Sequence, residues 1–261
     1  MISVELRSVL VETRGHRLLD QVSFKACSQE WVAIVGPSGA GKSTLLRTLL
    51  GLQQITSGQC LLEGRSVASI SDRQRSEWLG WLPQRLRIDE PIAAIEMVAA
   101  WRYRFAESHA VALKSAQQAM LRVGVGHLAD RAVNTLSGGE AQRVAMAAAL
   151  AQDPRILLLD EPSVHLDPAR QIELYSTMSK EWREGRGVIC VTHDPNLLQS
   201  VVEGGASKVR VVGMREGRIV FDLPYDSERL ANELSELYGI EWHAIEFGER
   251  KLFLAGGRRV E

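Results

Sequence analysis

The stretch GPSGAGKS at residues 36–43 constrains the fold more than any other part of the chain. It matches the pattern G-x-x-x-x-G-K-[ST], follows the apolar run WVAIV and leads into KSTLLRTLL, whose apolar residues recur at helical spacing. Such a match arises by chance in about one chain in a hundred of this length. With a strand before it and a helix after it, the stretch predicts a loop that binds phosphate groups. Its candidate nucleotide-binding residues are Gly36, Pro37, Ser38, Gly39, Ala40, Gly41, Lys42, Ser43 and Thr44.

Two side chains of this loop and two later carboxylates suit nucleotide chemistry. Lys42 supplies a mobile positive charge for the outer phosphates, and Ser43 offers a hydroxyl to Mg²⁺, which prefers oxygen ligands. The stretch ILLLDE at 156–161 predicts a buried strand that ends in two acidic residues. Asp160 would direct Mg²⁺ or its waters from the carboxyl end of that strand, and Glu161 would accept a proton from an attacking water. The alternative is a pair of solvated loop carboxylates.

His193 and Gln84 also follow predicted strands. A lone histidine is more often structural than catalytic. His193, however, comes after the apolar run GVICV, at the same predicted edge as the two carboxylates, which favours a contact with the γ-phosphate. Gln84 ends WLGWLPQ, and a glutamine alone indicates little, so its role depends on the motifs around it.

The stretch LSGGE raises a separate question. Ser137, Gly138 and Gly139 open an Ala-rich segment with a predicted helix. A helix N-terminus carries unpaired N–H groups and a partial positive charge, and glycine permits close approach of an anion. The chain therefore has a second candidate phosphate site besides its phosphate loop.

The alternation of apolar strands and helical stretches predicts the architecture. After LSGGE the chain runs through RILLLD, PARQIELYSTMSKEW, GVICVTH and DPNLLQSVV, a strand–helix–strand–helix pattern typical of a parallel sheet with helices on its faces. The first 35 residues predict strands, 57–67 a hairpin and 78–84 a strand. Helices are predicted over about 90–150, beginning with PIAAIEMVAAWRYRF. The last fifty residues predict a hairpin, a helix from about 227 and two strands around the turn GER.

Composition excludes several classes of protein. Lys and Arg number 31 and Asp and Glu 32, so the net charge of −1 gives no basic footprint for nucleic acid. The N-terminus MISVELRSVL lacks a signal-peptide pattern, and apolar runs such as VAMAAALA are too short to span a membrane. The three scattered cysteines, Cys27, Cys60 and Cys190, predict neither disulfides nor a zinc site and fit a reducing cytoplasm.

Taken in order, the phosphate loop, Gln84, LSGGE, ILLLDE, SVHLD and His193 resemble the ATP-binding-cassette (ABC) ATPases. The resemblance covers about residues 1–225. It implies an α/β P-loop NTPase of ABC type, with a mainly parallel sheet core, an antiparallel β subdomain and an inserted helical subdomain at about 85–150. Residues 226–261 would then form a short C-terminal α/β extension.

The resemblance also implies ATP hydrolysis with ATP and Mg²⁺ by a homodimer. In that family the signature LSGGE of one subunit closes over the nucleotide held by the other, so Ser137, Gly138 and Gly139 would contact the partner's ATP. Gln84 would be both a catalytic residue and a Mg²⁺ ligand, beside the catalytic Glu161 and His193. Asp167 of SVHLD would lie at the dimer seam and couple the two nucleotide sites.

Two departures from the family pattern stand out. The chain has Val164 and His165 where the family often has alanine or glycine. The family places an adenine-stacking aromatic residue about 25 residues before the phosphate loop, whereas VETRGHR at 11–17 has none. Arg14 or His16 would have to stack on the base instead.

Within the family, the segment SEWLGWLPQ, the pair Arg102–Tyr103 and the tail LSELYGIEWHAIEFGERKLFLAG resemble ATPases of importers for iron–siderophore, haem and cobalamin. This resemblance implies a peripheral subunit at the cytoplasmic face of the inner membrane, working with a separate permease and a substrate-binding protein. Alternatives remain open: the aromatic residues could merely pack a helical subdomain, and the tail could be a dimer strap. The chain could also be a soluble ABC ATPase, for example in iron–sulfur cluster assembly, or serve another ABC transporter class.

An importer ATPase needs a surface for its permease. We expect the helical region 85–135 to form a groove with the Gln84 segment that receives a short cytoplasmic helix of the permease. Arg85 and Arg87 are the candidate contacts in this groove.

Overall fold

A computed structural model describes residues 1–84, 90–164, 166–202, 208–248 and 250–258. The strands within these ranges are β1 (Ser3–Thr13), β2 (His16–Cys27), β3 (Trp31–Val35), β4 (Ser57–Leu62), β5 (Arg65–Ser66), β6 (Leu79–Leu82), β7 (Ile156–Asp160), β8 (Gly187–Val191), β9 (Val209–Arg215), β10 (Arg218–Pro224), β11 (Ile240–Phe247) and β12 (Arg250–Arg258). The α-helices are α1 (Lys42–Leu49), α2 (Asp72–Trp78), α3 (Ala94–Ala100), α4 (His109–Arg122), α5 (Gly138–Ala151), α6 (Pro168–Arg183), α7 (Gln199–Val202) and α8 (Leu230–Tyr238).

A six-stranded sheet forms the centre of the molecule, with the strand order β10-β9-β3-β8-β7-β6. Neighbouring strands from β9 to β6 are parallel, and only β10 is antiparallel to its neighbour β9. Every residue of β3, β7 and β8 is buried, as expected for parallel strands covered on both faces. The predicted α/β class with a mainly parallel sheet is therefore confirmed.

The two faces of the central sheet pack against different partners. In β3, Trp31, Ala33 and Val35 belong to one hydrophobic core, whereas Val32 and Ile34 belong to the other, because successive side chains of a strand point to opposite faces. The first core contains α3–α8. The second contains α1 and strands β1, β2 and β4 of the four-stranded antiparallel sheet β2-β1-β4-β5, which is the predicted antiparallel subdomain.

The first predicted helix of the 90–150 region ends earlier than expected. PIAAIEMVAAWRYRF predicts a continuous helix, but α3 stops at Ala100 and the chain turns. The reason lies at the end of α5, whose last carbonyls lack helical partners. Arg102 donates to the carbonyl of Ala151 at 2.6 Å, and Arg104 donates to the carbonyl of Gln152 at 2.9 Å. Leaving the helix lets both arginines cap α5.

The C-terminal part forms the predicted helix and hairpin. Helix α8 packs on β9 and β10. Strands β11 and β12 pair as an antiparallel hairpin, in which Phe247 and Arg250 are the pair nearest the turn. The predicted boundary between an ATPase domain, 1–225, and an extension, 226–261, stays a prediction. None of the helices in the described ranges combines the length and apolar composition needed to cross a bilayer.

Candidate functional site

The predicted site residues follow the carboxyl ends of adjacent parallel strands. In the order β3-β8-β7-β6, these ends lead into the phosphate loop, His193, Glu161 and Gln84 respectively. Parallel strands deliver their carboxyl ends to one edge of a sheet, where open α/β sheets bind ligands. The topology therefore gathers residues that are far apart in sequence.

Glycines shape the phosphate loop by conformation and by space. Gly41 caps the start of α1 in the left-handed conformation, with φ of 97°, and a Cβ there would lie 2.6 Å from the carbonyl oxygen of Leu18. Gly36 has φ of 148°, and its Cβ would lie 2.1 Å from the carbonyl oxygen of Met214. The loop thus requires glycine at both positions. The first-turn N–H groups of α1 have no partner within the helix and form an anion-binding end.

Lys42 is folded onto its own loop. Its Nζ donates to the carbonyl oxygens of Gly36 at 2.6 Å and Pro37 at 2.9 Å, and the residue is only 5% exposed. Burial lowers the pKa of Lys42, while the charges of Glu161 and Asp160 oppose that shift. A buried ammonium held by neutral carbonyls gains a stronger, charge-assisted bond when an anionic phosphate replaces them.

Ser43 and Asp160 form an oxygen pair suited to Mg²⁺. The Ser43 hydroxyl donates to Asp160 Oδ1 at 3.0 Å, and burial raises the pKa of Asp160 because its charge is desolvated. A divalent cation would favour the ionised carboxylate, so the donor set fits the ion. Among the described residues no group of three or more His, Cys, Asp or Glu side chains could hold a metal alone. The remaining ligands would come from the nucleotide and water, as Mg²⁺ commonly requires.

Glu161 connects Gln84 and His193, two predicted site residues that lie far apart in the sequence. Gln84 Nε2 donates to Glu161 Oε2 at 2.7 Å, and His193 Nε2 lies 2.7 Å from Glu161 Oε1. Both carboxylate oxygens are therefore held. Glu161 has a left-handed backbone with φ of 51°, an uncommon conformation for a residue other than glycine. The hydrogen bond of the Gln84 side chain is to Glu161. The role of Gln84 as a Mg²⁺ ligand therefore stays a prediction.

The signature motif begins a helix, as predicted. Ser137 is the N-cap of α5: its hydroxyl accepts from Glu140 N at 3.3 Å, and its own N–H donates to Glu140 Oε2 at 2.8 Å. This reciprocal pair is a capping box. Glu140 was not among the site residues predicted from the sequence, although the spacing S-x-x-E signals it.

The signature and Asp167 share one cleft of about 540 Å³. Asp167 caps α6 by accepting from Arg170 N at 3.0 Å. No phosphate-loop residue is among the described residues that line this cleft. The signature and its own phosphate loop therefore do not share this cleft. The lining residues are Ser137, Gly138, Gly139, Glu140, Arg143, Leu166, Asp167 and Arg170.

The candidate adenine platform and one further contact complete the site. Arg14 and His16 are both exposed beside the β1–β2 turn, and stacking on adenine stays a prediction for either. Tyr238 was not among the predicted site residues, yet its hydroxyl accepts a hydrogen bond from Gly36 N at 3.0 Å. No local pattern signals a contact between residues 202 positions apart. His165 lies outside the described residues.

Comparisons with known proteins agree with this geometry. A family model described as ABC transporter matches residues 19–164. The chain is 36% identical over 246 residues to the hemin import ATP-binding protein HmuV of Nocardia farcinica, covering 91% of this chain and 83% of that protein. It is 34% identical to the phosphonates import ATP-binding protein PhnC 2 of Synechococcus sp., with 88% of each covered.

A solved structure shares the fold closely. The dimeric post-hydrolysis structure of the ATP-binding cassette MJ0796, bound to ADP and Pi, matches with a TM-score of 0.77 and 27% identity over 86% of this chain and 99% of that one. The sheet, the phosphate loop and the carboxylates at the sheet edge define a P-loop NTPase of the ATP-binding-cassette class. The chain belongs to the ABC transporter family, and it is an ATPase.

Proposed function

We propose that the chain is the ATP-hydrolysing subunit of an importer and drives uptake of a metal chelate, such as an iron–siderophore, haem or cobalamin, through a separate permease. It works as a homodimer around two ATP molecules, peripheral at the cytoplasmic face of the membrane, and a substrate-binding protein acts with the permease. The observation that carries the proposal is an apolar groove beside the strand that leads to Gln84. The cargo class is supported by the similarity to hemin import ATP-binding proteins.

The phosphate loop and Lys42 bind the nucleotide. The N–H groups at the start of α1 and the ammonium of Lys42 contact phosphate oxygens, which replace the carbonyls of Gly36 and Pro37. Ser43, Asp160 and Gln84 would hold Mg²⁺ through oxygen atoms, and the ion would supply positive charge to neutralise the phosphates. The role of the protein is to fix these groups before the reaction begins.

Glu161 acts as the general base. Because Gln84 and His193 hold its two oxygens, the carboxylate keeps one orientation at the sheet edge. It accepts a proton from the attacking water as the water oxygen bonds to the γ-phosphorus and the bond to the bridging oxygen breaks. The products are ADP and phosphate. His193 also contacts the γ-phosphate.

The signature cleft serves the second copy of the chain. Ser137, Gly138 and Gly139 line a cleft with Asp167, and no residue of their own phosphate loop is among its lining residues. The similar cassette MJ0796 is dimeric. In a twofold dimer the start of α5 contacts the partner's γ-phosphate, and Asp167 links the two sites. ATP then stabilises the dimer, and hydrolysis removes that stabilisation.

A groove of about 370 Å³ is the proposed permease site; it takes Ala100, Trp101 and Tyr103 from the predicted region 85–135, and Gln84 is not among its lining residues. It is exposed and mainly apolar, with Leu52 56% and Tyr103 57% exposed. Strand β6 contributes to its wall and leads directly to Gln84, so a helix bound here would act on the Gln84–Glu161 contact. Arg85 and Arg87 lie outside the described residues. The lining residues are Leu50, Leu52, Asp72, Arg75, Ser76, Leu79, Trp81, Ala100, Trp101, Tyr103 and Gln152.

A charged side chain in this groove should weaken permease binding and uptake without weakening ATP binding. We expect Leu52→Glu to lower permease co-purification and ATP-driven uptake by about tenfold or more, since a carboxylate buried against an apolar helix is costly. ATP binding by the isolated subunit should stay within about twofold, because Leu52 is not in the phosphate loop. The measurement is uptake of haem, a ferric siderophore and cobalamin by proteoliposomes containing the permease.

The matched control is Val220→Glu, which places the same charge at a valine that is 44% exposed on β10, outside the groove and outside region 85–135. Equal uptake by the two variants would argue against the groove. Uptake of phosphonate without uptake of any chelate would contradict the proposed cargo class.

A further inference from the structure

The C-terminal part of the chain touches the ATP site directly. Tyr238 is the last residue of α8, and its hydroxyl accepts from Gly36 N at 3.0 Å. The helix ends there because Gly239 adopts the left-handed conformation, with φ of 66°. The first glycine of the phosphate loop is therefore tied to a helix more than 200 residues later.

Gly36 is fixed through its N–H, its carbonyl and the lack of space for a side chain. Its carbonyl accepts from Lys42 Nζ at 2.6 Å, and the absent side chain leaves only enough room for the carbonyl of Met214 on β9. The Tyr238 hydroxyl fixes the N–H of the same residue. The N–H of Gly36 bonds to the Tyr238 hydroxyl, and its carbonyl bonds to Lys42 Nζ. A shift of the Tyr238 contact would therefore move the carbonyl that holds the Lys42 ammonium before ATP binds.

Tyr238 is itself supported by the hairpin β11–β12. Its ring packs on Trp242, with centroids 5.9 Å apart. The backbone N–H of Trp242 donates to Ser235 Oγ at 2.8 Å, and Ser235 Oγ donates to the carbonyl of Ala231 at 2.8 Å. These contacts join the first residues of the hairpin to α8.

The same hairpin binds the segment that follows His193. Asn196 Nδ2 donates to the carbonyl of Phe253 at 2.9 Å, and Phe253 N donates to Asn196 Oδ1 at 2.7 Å. The side-chain amide of Asn196 therefore makes the same kind of donor–acceptor pair with β12 that the backbone of a neighbouring strand would make. Asn196 N donates to Asp194 Oδ1 at 2.8 Å, which makes a tight turn from Asp194 onward. Phe253 is only 1% exposed and packs edge-on against Tyr225.

We propose that residues 226–248 and 250–258 position the ATP site, through Tyr238 on the phosphate loop and through Phe253 on the His193 segment. Tyr238 and Asn196 are positioning residues, because each acts through another residue: Tyr238 through Gly36 and Lys42, Asn196 through the turn that carries His193. The inference rests on the proposed role of the phosphate loop in binding ATP.

The two contacts predict separable kinetic effects. Removing one neutral hydrogen bond changes an equilibrium by about three- to tenfold. Tyr238→Phe keeps the ring on Trp242 and loses the bond to Gly36, so we expect Kd and KM for ATP to rise by about three- to tenfold, with kcat within about twofold. Asn196→Ala should lower kcat by about three- to tenfold with KM little changed.

The control is Tyr225→Phe in the same part of the chain. The Tyr225 hydroxyl accepts from Gln199 at 2.7 Å and donates to the carbonyl of Lys251 at 3.0 Å, and neither bond is to Gly36 or Asn196. We expect Tyr225→Phe to lower Tm at least as much as Tyr238→Phe while leaving KM unchanged. The measurements are Mg-ATP titration, steady-state phosphate release and thermal unfolding of the full chain.

Lys42→Ala, measured in the same assays, separates a failure of the positioning role from a failure of the phosphate-loop site. If Lys42→Ala loses ATP binding while Tyr238→Phe behaves like Tyr225→Phe, the positioning role is wrong and the phosphate-loop site stands. If Lys42→Ala binds ATP normally, the site assignment itself fails. Kinetic changes that follow Tm across all the variants would also overturn the positioning role, because they would report stability alone.

Discussion

The Glu161→Gln protein is expected to hydrolyse ATP about 10²–10⁴-fold more slowly than the unmodified chain, the usual contribution of a positioned general base. The amide keeps the shape of the side chain but cannot accept the proton of the attacking water. ATP binding should survive, because Lys42, Ser43 and Asp160 are unchanged. Uncleaved ATP should then hold the closed dimer, whereas His193→Ala should slow turnover with weaker ATP retention.

Phosphate release and size-exclusion chromatography, each with and without Mg-ATP, measure both effects. The control is Glu216→Gln: Glu216 also has a left-handed backbone, with φ of 50°, but lies exposed in the turn between β9 and β10. A normal rate in Glu161→Gln would mean that Glu161 is not the base. A slow variant that stays monomeric with ATP bound would leave the base role and remove the dimer explanation for the isolated subunit.

Lys42→Ala should weaken ATP binding by about 100-fold or more and bring hydrolysis to background, because charge-assisted bonds to phosphate are among the strongest single contacts. The fold should persist. Among the described residues, Lys42 Nζ bonds to the carbonyls of Gly36 and Pro37, both in its own loop, so its removal breaks no hydrogen bond between separate elements.

Equilibrium binding of a fluorescent ATP analogue, together with thermal unfolding, tests this expectation. Lys25→Ala, at an exposed position of β2, is the matched control and should bind ATP normally. Tight binding by a folded Lys42→Ala protein would contradict the site assignment.

Local sequence signals were sufficient for much of the fold and part of the site. The alternation of apolar runs and helical periodicity predicted the mainly parallel sheet, and the carboxyl-edge rule predicted that Glu161 and His193 lie on the same side. The phosphate loop is one continuous segment, so the spacing of its own glycines determines its shape. Ser137 likewise begins a helix within its own motif.

Contacts between distant segments could not be predicted in the same way. The link from Gln84 through Glu161 to His193 depends on side-chain directions that the strand order alone leaves undetermined. The contact between Tyr238 and Gly36 depends on how α8 packs on β9. The early end of α3 had a similar cause, because Arg102 serves the far end of α5 rather than its own helix.

The central claim is that each ATP is held between the phosphate loop of one chain and the signature of the other. A mixed dimer with Lys42→Ala in one subunit and Ser137→Arg in the other tests it most directly. The measurement is ATP occlusion per dimer, compared with both variant homodimers. If the signature acts across the interface, both lesions fall in one composite site, the other site is intact, and the mixed dimer occludes about one ATP while the homodimers occlude none. If each chain used its own signature, every site would carry one lesion, and a mixed dimer as inactive as the homodimers would contradict the account.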